Sequence, residues 1–127
     1  MNKILAATLV LTSACASDDG TAPTISTLTY SPNTATHGVP LTMTGSFMFA
    51  DEDGDLAELG GEVTMPDQTK MTLAKTNIRA LGDQTSGSLG FQLQIVPPVA
   101  GAYAFQLFVT DEGDNVSNRL DGTLTAN

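Results

Sequence analysis

Residues 88–110 read SLGFQLQIVPPVAGAYAFQLFVT. In the first part Leu89, Phe91, Leu93 and Ile95 take every second position, with Ser88, Gly90, Gln92 and Gln94 between them. Pro97-Pro98 ends that run. A second run follows, in which Tyr103, Phe105, Leu107 and Val109 alternate against Ala104, Gln106 and Phe108. Side chains along a strand point to opposite faces in turn, so this period of two predicts two half-buried strands. Proline supplies no ladder N–H and therefore separates them.

The same reading extends in both directions. Ile25, Leu28 and Tyr30 mark a strand that stops at Ser31-Pro32-Asn33, a turn signal. Residues 39–49 place Leu41, Met43, Gly45, Phe47 and Phe49 on one face and Thr42, Thr44, Ser46 and Met48 on the other. An acidic loop at 51–55 leads into extended chain over 56–65, where Gly60-Gly61 predicts a bulge or a close backbone approach. Pro66-Asp67-Gln68 is a tight turn, after which 70–74 pairs back with Met71 and Leu73 inward. Residues 76–87 read as a loop or one helical turn. A second acidic loop at 111–115 precedes a closing strand over 117–125. About seven short strands separated by turns predict an all-β fold, a single antiparallel β-sandwich over residues 24–127. The lack of helical periodicity excludes a doubly wound parallel sheet.

The chain carries 14 acidic and 5 basic residues, a net charge of −9. Such a surface repels nucleic acid and anionic headgroups and favours cations, so no nucleic-acid partner is expected. The abundance of apolar residues, 41% by count, is enough to build one core rather than a disordered chain.

The N-terminus has its own logic. Met1-Asn2-Lys3 is a basic start, residues 4–11 (ILAATLVL) form an apolar run, and Thr12-Ser13-Ala14 approaches the single cysteine, Cys15. The run is too short to span a bilayer. It has the regions of a secretory signal. Ending on cysteine, residues 1–14 resemble a bacterial lipoprotein signal. That resemblance implies a lipidated Cys15, a flexible tether over residues 15–23, and a membrane partner reached through the anchor. Ala16-Ser17 after the cysteine lacks the aspartate that retains similar lipoproteins at an inner membrane, so an outer membrane is favoured in a double-membraned host. The alternative is an ordinary signal cleaved after Ala14 or Ala16.

The last third resembles a bacterial immunoglobulin-like domain. Residues 100–105 (AGAYAF) running into Val109-Thr110-Asp111 are similar to that family's F strand, and residues 111–118 (DEGDNVSN) to its F–G turn. Residues 47–56 resemble its B–C region. The resemblance implies an Ig-like sandwich and a tyrosine corner at Tyr103, and leaves function open.

In that arrangement the B–C and F–G loops leave the same end of the sandwich. Seven of the fourteen acids, Asp51, Glu52, Asp53, Asp55, Asp111, Glu112 and Asp114, would gather there, while the cations lie mostly on the hairpin and the following loop. Like charges this close repel unless neutralised. Calcium suits them, because it takes six to eight oxygens in flexible geometry. The candidate ligands are Asp51, Asp53, Asp55, Asp111 and Asp114. The plainer alternative is a pair of solvated turns on a spacer domain. A metal carrier built from His37 and the methionines is the remote one, since the methionines follow strand alternation as core filler. No catalytic residues are assigned. His37 is the only histidine, and no nucleophile elbow or phosphate loop is present. The expectation is a non-enzymatic, monomeric binding or structural module of the cell envelope, with a protein or glycan partner. Met48 and Phe108 on neighbouring strands would give it an apolar patch.

Overall fold

Strands form where the alternation is longest. The computed structural model describes residues 21–127, and the signal, Cys15 and most of the tether lie outside the described residues. Eight strands follow one another: β1 (Thr24–Ser31), β2 (Thr34–Ala35), β3 (Leu41–Ala50), β4 (Leu56–Thr64), β5 (Lys70–Asn77), β6 (Ser86–Ile95), β7 (Gly101–Asp111) and β8 (Leu120–Ala126). They make two sheets, β1-β3-β6 and β2-β8-β7-β4-β5, which is an Ig-like sandwich. The one pair missed by the period-two pattern is β2, two residues that pair parallel with β8 at Thr125 and Ala126.

The core is the meeting of the inward faces. Met43, Phe47, Phe49, Leu89 and Leu93 come from the three-stranded sheet; Val63, Tyr103, Phe105, Leu107, Val109 and Leu124 come from the other. Burying each such side chain stabilises by about 1.5–3 kcal/mol. The Tyr103 hydroxyl donates to the Val99 carbonyl at 2.7 Å and accepts from the Val99 N–H at 3.2 Å, so a fully buried ring keeps its polar atom paired. Gly60 is a close approach, since a Cβ there would fall 2.7 Å from the Phe108 ring, and the β4–β5 register shifts between Leu59 and Gly61. Between β5 and β6 the chain makes one 3₁₀ turn, Arg79–Leu81.

Three expectations need correction. Met71 lies opposite buried Val63, on the expected face, but is exposed, because β5 is an edge strand and only Leu73 among its residues is even half-buried. Phe108 and Met48 do not form one patch. They lie on β7 and β3, in different sheets, and Arg119 covers the Phe108 ring with its guanidinium carbon 4.6 Å from the centroid. Finally, the last residues of the expected tether belong to the folded body: Pro23 is fully buried.

The two flanks of the sandwich differ. On one, Tyr30 of β1 reaches across to β8, donating to the Thr123 carbonyl at 3.1 Å and accepting its N–H at 2.9 Å. Its ring meets Phe105 edge-on, centroids 5.0 Å apart. Asn118 joins the same flank by accepting the Ile25 N–H and donating to the Ile25 carbonyl, both at 2.8 Å. On the other flank β5 and β6 part, leaving a cleft of about 200 Å3 lined by Leu59, Leu73, Phe91, Leu93 and Leu107.

Candidate metal-binding pole

Asp51 directly follows β3 and Asp111 ends β7 at the same end of the molecule, and each aspartate organises its own loop. After β3, Gly54 donates its N–H to the Asp51 carbonyl at 3.0 Å, and Asp55 N–H reaches Asp51 Oδ2 at 2.9 Å. Gly54 sits at φ +62°, a conformation that costs glycine little. After β7, Asp111 Oδ1 accepts the N–H groups of Gly113 and Asn115 at 2.9 and 2.8 Å, and Oδ2 accepts the Asn115 side chain at 3.0 Å. These are the local turn bonds for which aspartate is suited. The Glu112 N–H then donates to the Asp55 carbonyl at 2.9 Å and ties the two loops together.

This wiring brings Asp51, Asp53, Asp55 and Asp111 together. Each offers a carboxylate oxygen, and the four oxygens lie within 4.8 Å of one another. Asp51 and Asp111 are each only 1% exposed. Two buried oxygens in the group, Asp51 Oδ1 and Asp55 Oδ1, receive no hydrogen bond. Leaving such atoms without a partner is costly in a folded protein. Asp55 registers the crowding. Burial first, then the hydrogen bond that its protonated form gives Asp51, then the negative charges of Asp111, Asp51 and Asp53 push its carboxyl from the ordinary 3.8 up to about 6. The cluster can therefore hold a proton at acid pH, or a cation above it. An all-oxygen set without nitrogen or sulfur fits a hard divalent ion such as calcium.

Asp114 stays outside this group, in the left-handed region at φ +63° in the F–G turn. Glu52 is exposed beyond it. Glu112 pairs with a cation that sequence reasoning had placed away from the pole: Arg79 Nε donates to Glu112 Oε1 at 2.6 Å. Arg79 lies in the segment whose structure the pattern left open, so nothing in the sequence announced its reach. Also unannounced is Thr21, whose N–H donates to Asp53 Oδ2 at 2.7 Å and brings the start of the described chain to the acidic end. His37 is exposed in its turn, its Nδ1 2.7 Å from the Asn127 carbonyl. Of the methionines, Met43 is fully buried and Met48 and Met71 are exposed, so the core-filler reading holds for the first and fails for the other two.

No family model matches the chain, and no curated protein does. Solved structures do resemble it. A PKD domain of an M14-like peptidase from Thermoplasmatales archaeon SCGC AB-540-F20 is similar at a TM-score of 0.53 and 15% identity, covering 84% of this chain and 96% of that one. A superoxide reductase (neelaredoxin) from Ignicoccus hospitalis is similar at 0.52 and 8% identity, over 88% and 86%. A Niemann-Pick type C2 protein from the Japanese carpenter ant is similar at 0.52 and 6%, over 84% and 94%. At these identities the likeness is one of fold, and the Ig-like sandwich stands on it. Three such different proteins on one architecture assign no activity.

Proposed function

We propose that this chain is a non-enzymatic Ig-like binding or structural module whose acidic pole binds calcium, and that lipid on Cys15 holds it at the bacterial cell envelope. The observation that carries the calcium reading is the pair of buried, unpartnered oxygens on Asp51 and Asp55 within a four-carboxylate cluster. A bound cation would give both atoms a ligand and cancel the repulsion that raises the Asp55 carboxyl. The ion would order two loops already joined by the Glu112 N–H bond to Asp55, making the pole a firm contact surface for a protein or glycan.

Thermal unfolding with EDTA, then with calcium or magnesium, tests this. Calcium at one hundred times its Kd adds roughly 2.7 kcal/mol by mass action. Asp53→Asn and Asp55→Asn are the variants to use, because Asp111 also holds its own turn and its loss would disturb the loop. A calcium-selective rise that both variants abolish supports the reading. No rise, or an equal rise with any salt, leaves a ligand-free spacer whose acids serve only their own turns. The anchor is tested separately by incorporation of labelled palmitate into the expressed chain and its loss in Cys15→Ser.

A further inference from the structure

The four sheet edges are not equally protected. Sheet proteins keep edges from pairing with other chains by shortness, bulges, proline or lysine. β1 has a register break between Ser26 and Thr29, with Thr27 at φ +58°, and runs into Pro32. β2 is two residues long. β5 carries Lys70 and Lys75, each 3.8 Å from a glutamate of β4. β6 has none of these devices. It is ten residues long, holds unbroken register with β3 from Ser86 to Ile95, has no strand on its other side among the described residues, and contains no proline and no charge.

The charge distribution says what can approach it. None of the charged residues of this acidic chain lies on β1, β3 or β6, whereas β4, β5, β7 and β8 carry Glu58, Glu62, Lys70, Lys75, Asp111 and Asp121. Two copies of a chain with a net charge of −9 repel over most of their surface. The three-stranded sheet is where they can meet without opposing carboxylates. The cleft between β5 and β6, with Leu59, Leu73, Phe91, Leu93 and Leu107 in its lining, lies along the same edge, where one more strand would close the sandwich.

We propose that β6 pairs antiparallel with β6 of a second copy across a two-fold axis, joining two three-stranded sheets into one uncharged six-stranded sheet. Antiparallel self-pairing is isologous, so one strand serves both sides. A register centred on Gly90 sets Ser88 opposite Gln92 on the outer face and Leu89 opposite Phe91 on the core face, beside the cleft. This pairing needs neither the cation nor the anchor, and it replaces the monomer that the sequence suggests.

Sedimentation velocity from micromolar to millimolar protein tests it. The expected result is a concentration-dependent dimer. Ser88→Lys with Gln92→Lys, both exposed positions, brings like charges together across the axis and raises the dimer dissociation constant at least tenfold, with the melting temperature of dilute, monomeric protein unchanged. Thr72→Lys on the β5 edge leaves it unchanged. Hydrogen exchange gives a reading without any variant: β6 amides slow as wild-type concentration rises. A wild-type protein that stays monomeric throughout, a double variant that pairs undiminished, or β6 exchange independent of concentration each overturns the proposal.

Discussion

The two flanks of this sandwich hold their sheets together on different terms. Where β1 meets β8, Tyr30 and Asn118 each make two hydrogen bonds across the gap, and Phe105 lies beneath the tyrosine ring. Where β5 faces β6, Leu59, Leu73, Phe91, Leu93 and Leu107 line an opening with Thr76, Gln92 and Gln94 at its sides, and Phe91 and Leu73 remain half-buried. One flank is closed by directional bonds that fix register. The other relies on partial burial and keeps an unpaired edge. A small sandwich can thus be rigid at one seam and receptive at the other.

Substitutions can sharpen or break that contrast. The largest effect is expected at Phe105, whose truncation to alanine removes a buried ring and costs about 3–5 kcal/mol in denaturant unfolding. Phe91→Ala at the open flank is expected to lose about half as much, since part of its surface is already in water. Equal losses would erase the contrast. Next comes Asn118→Ala, which strips the N–H and carbonyl of buried Ile25 of their partners and costs about 1–3 kcal/mol. Tyr30→Phe keeps the ring and removes the hydroxyl, for about 1 kcal/mol. The smallest effect reverses sign. Without calcium, Asp55→Asn is expected to raise the melting temperature slightly above pH 6, because it removes a carboxylate whose ionisation opposes folding.

The pH dependence follows from the same carboxyl. The native state keeps the Asp55 proton up to about pH 6, while the unfolded chain releases it near 3.8. The fold therefore binds more protons than the unfolded chain across that window, and this group's contribution to stability falls as pH rises through it, then levels off. Calcium binds the ionised form, so its stabilising increment grows as pH rises through about 6 and shrinks below. Melting curves at pH 5 and pH 7, with and without calcium, check both slopes. An increment independent of pH would place the ion elsewhere.

Most of the fold was legible because strand alternation is a local signal. Residues 41–49, 89–95 and 103–109 each show their inward face in the sequence, and each buries most of it. The acidic pole was legible for a related reason, since two acidic turns at corresponding strand ends must share an end. What escaped depends on partners that local pattern cannot name. The exposure of Met71 hinged on β5 being an edge. The separation of Met48 from Phe108 hinged on which strands share a sheet. β2 is too short for any period. Arg79 and Thr21 reach the pole through tertiary contacts, and Asp111 turned out to spend both oxygens on its own loop as well as facing the cluster.

Thr21 and Pro23 enter the body at the acidic end, and β3 runs ten residues from the opposite end to this one. At about 3.3 Å per residue, roughly 33 Å separates them. Whatever is joined ahead of residue 21 is joined there, and the far tip, with Val39, Val96 and Val99 each at least half exposed, is the part carried furthest from it. Residue 21 and a molecule that meets the valine tip are therefore held a full strand length apart, at opposite ends of the sandwich.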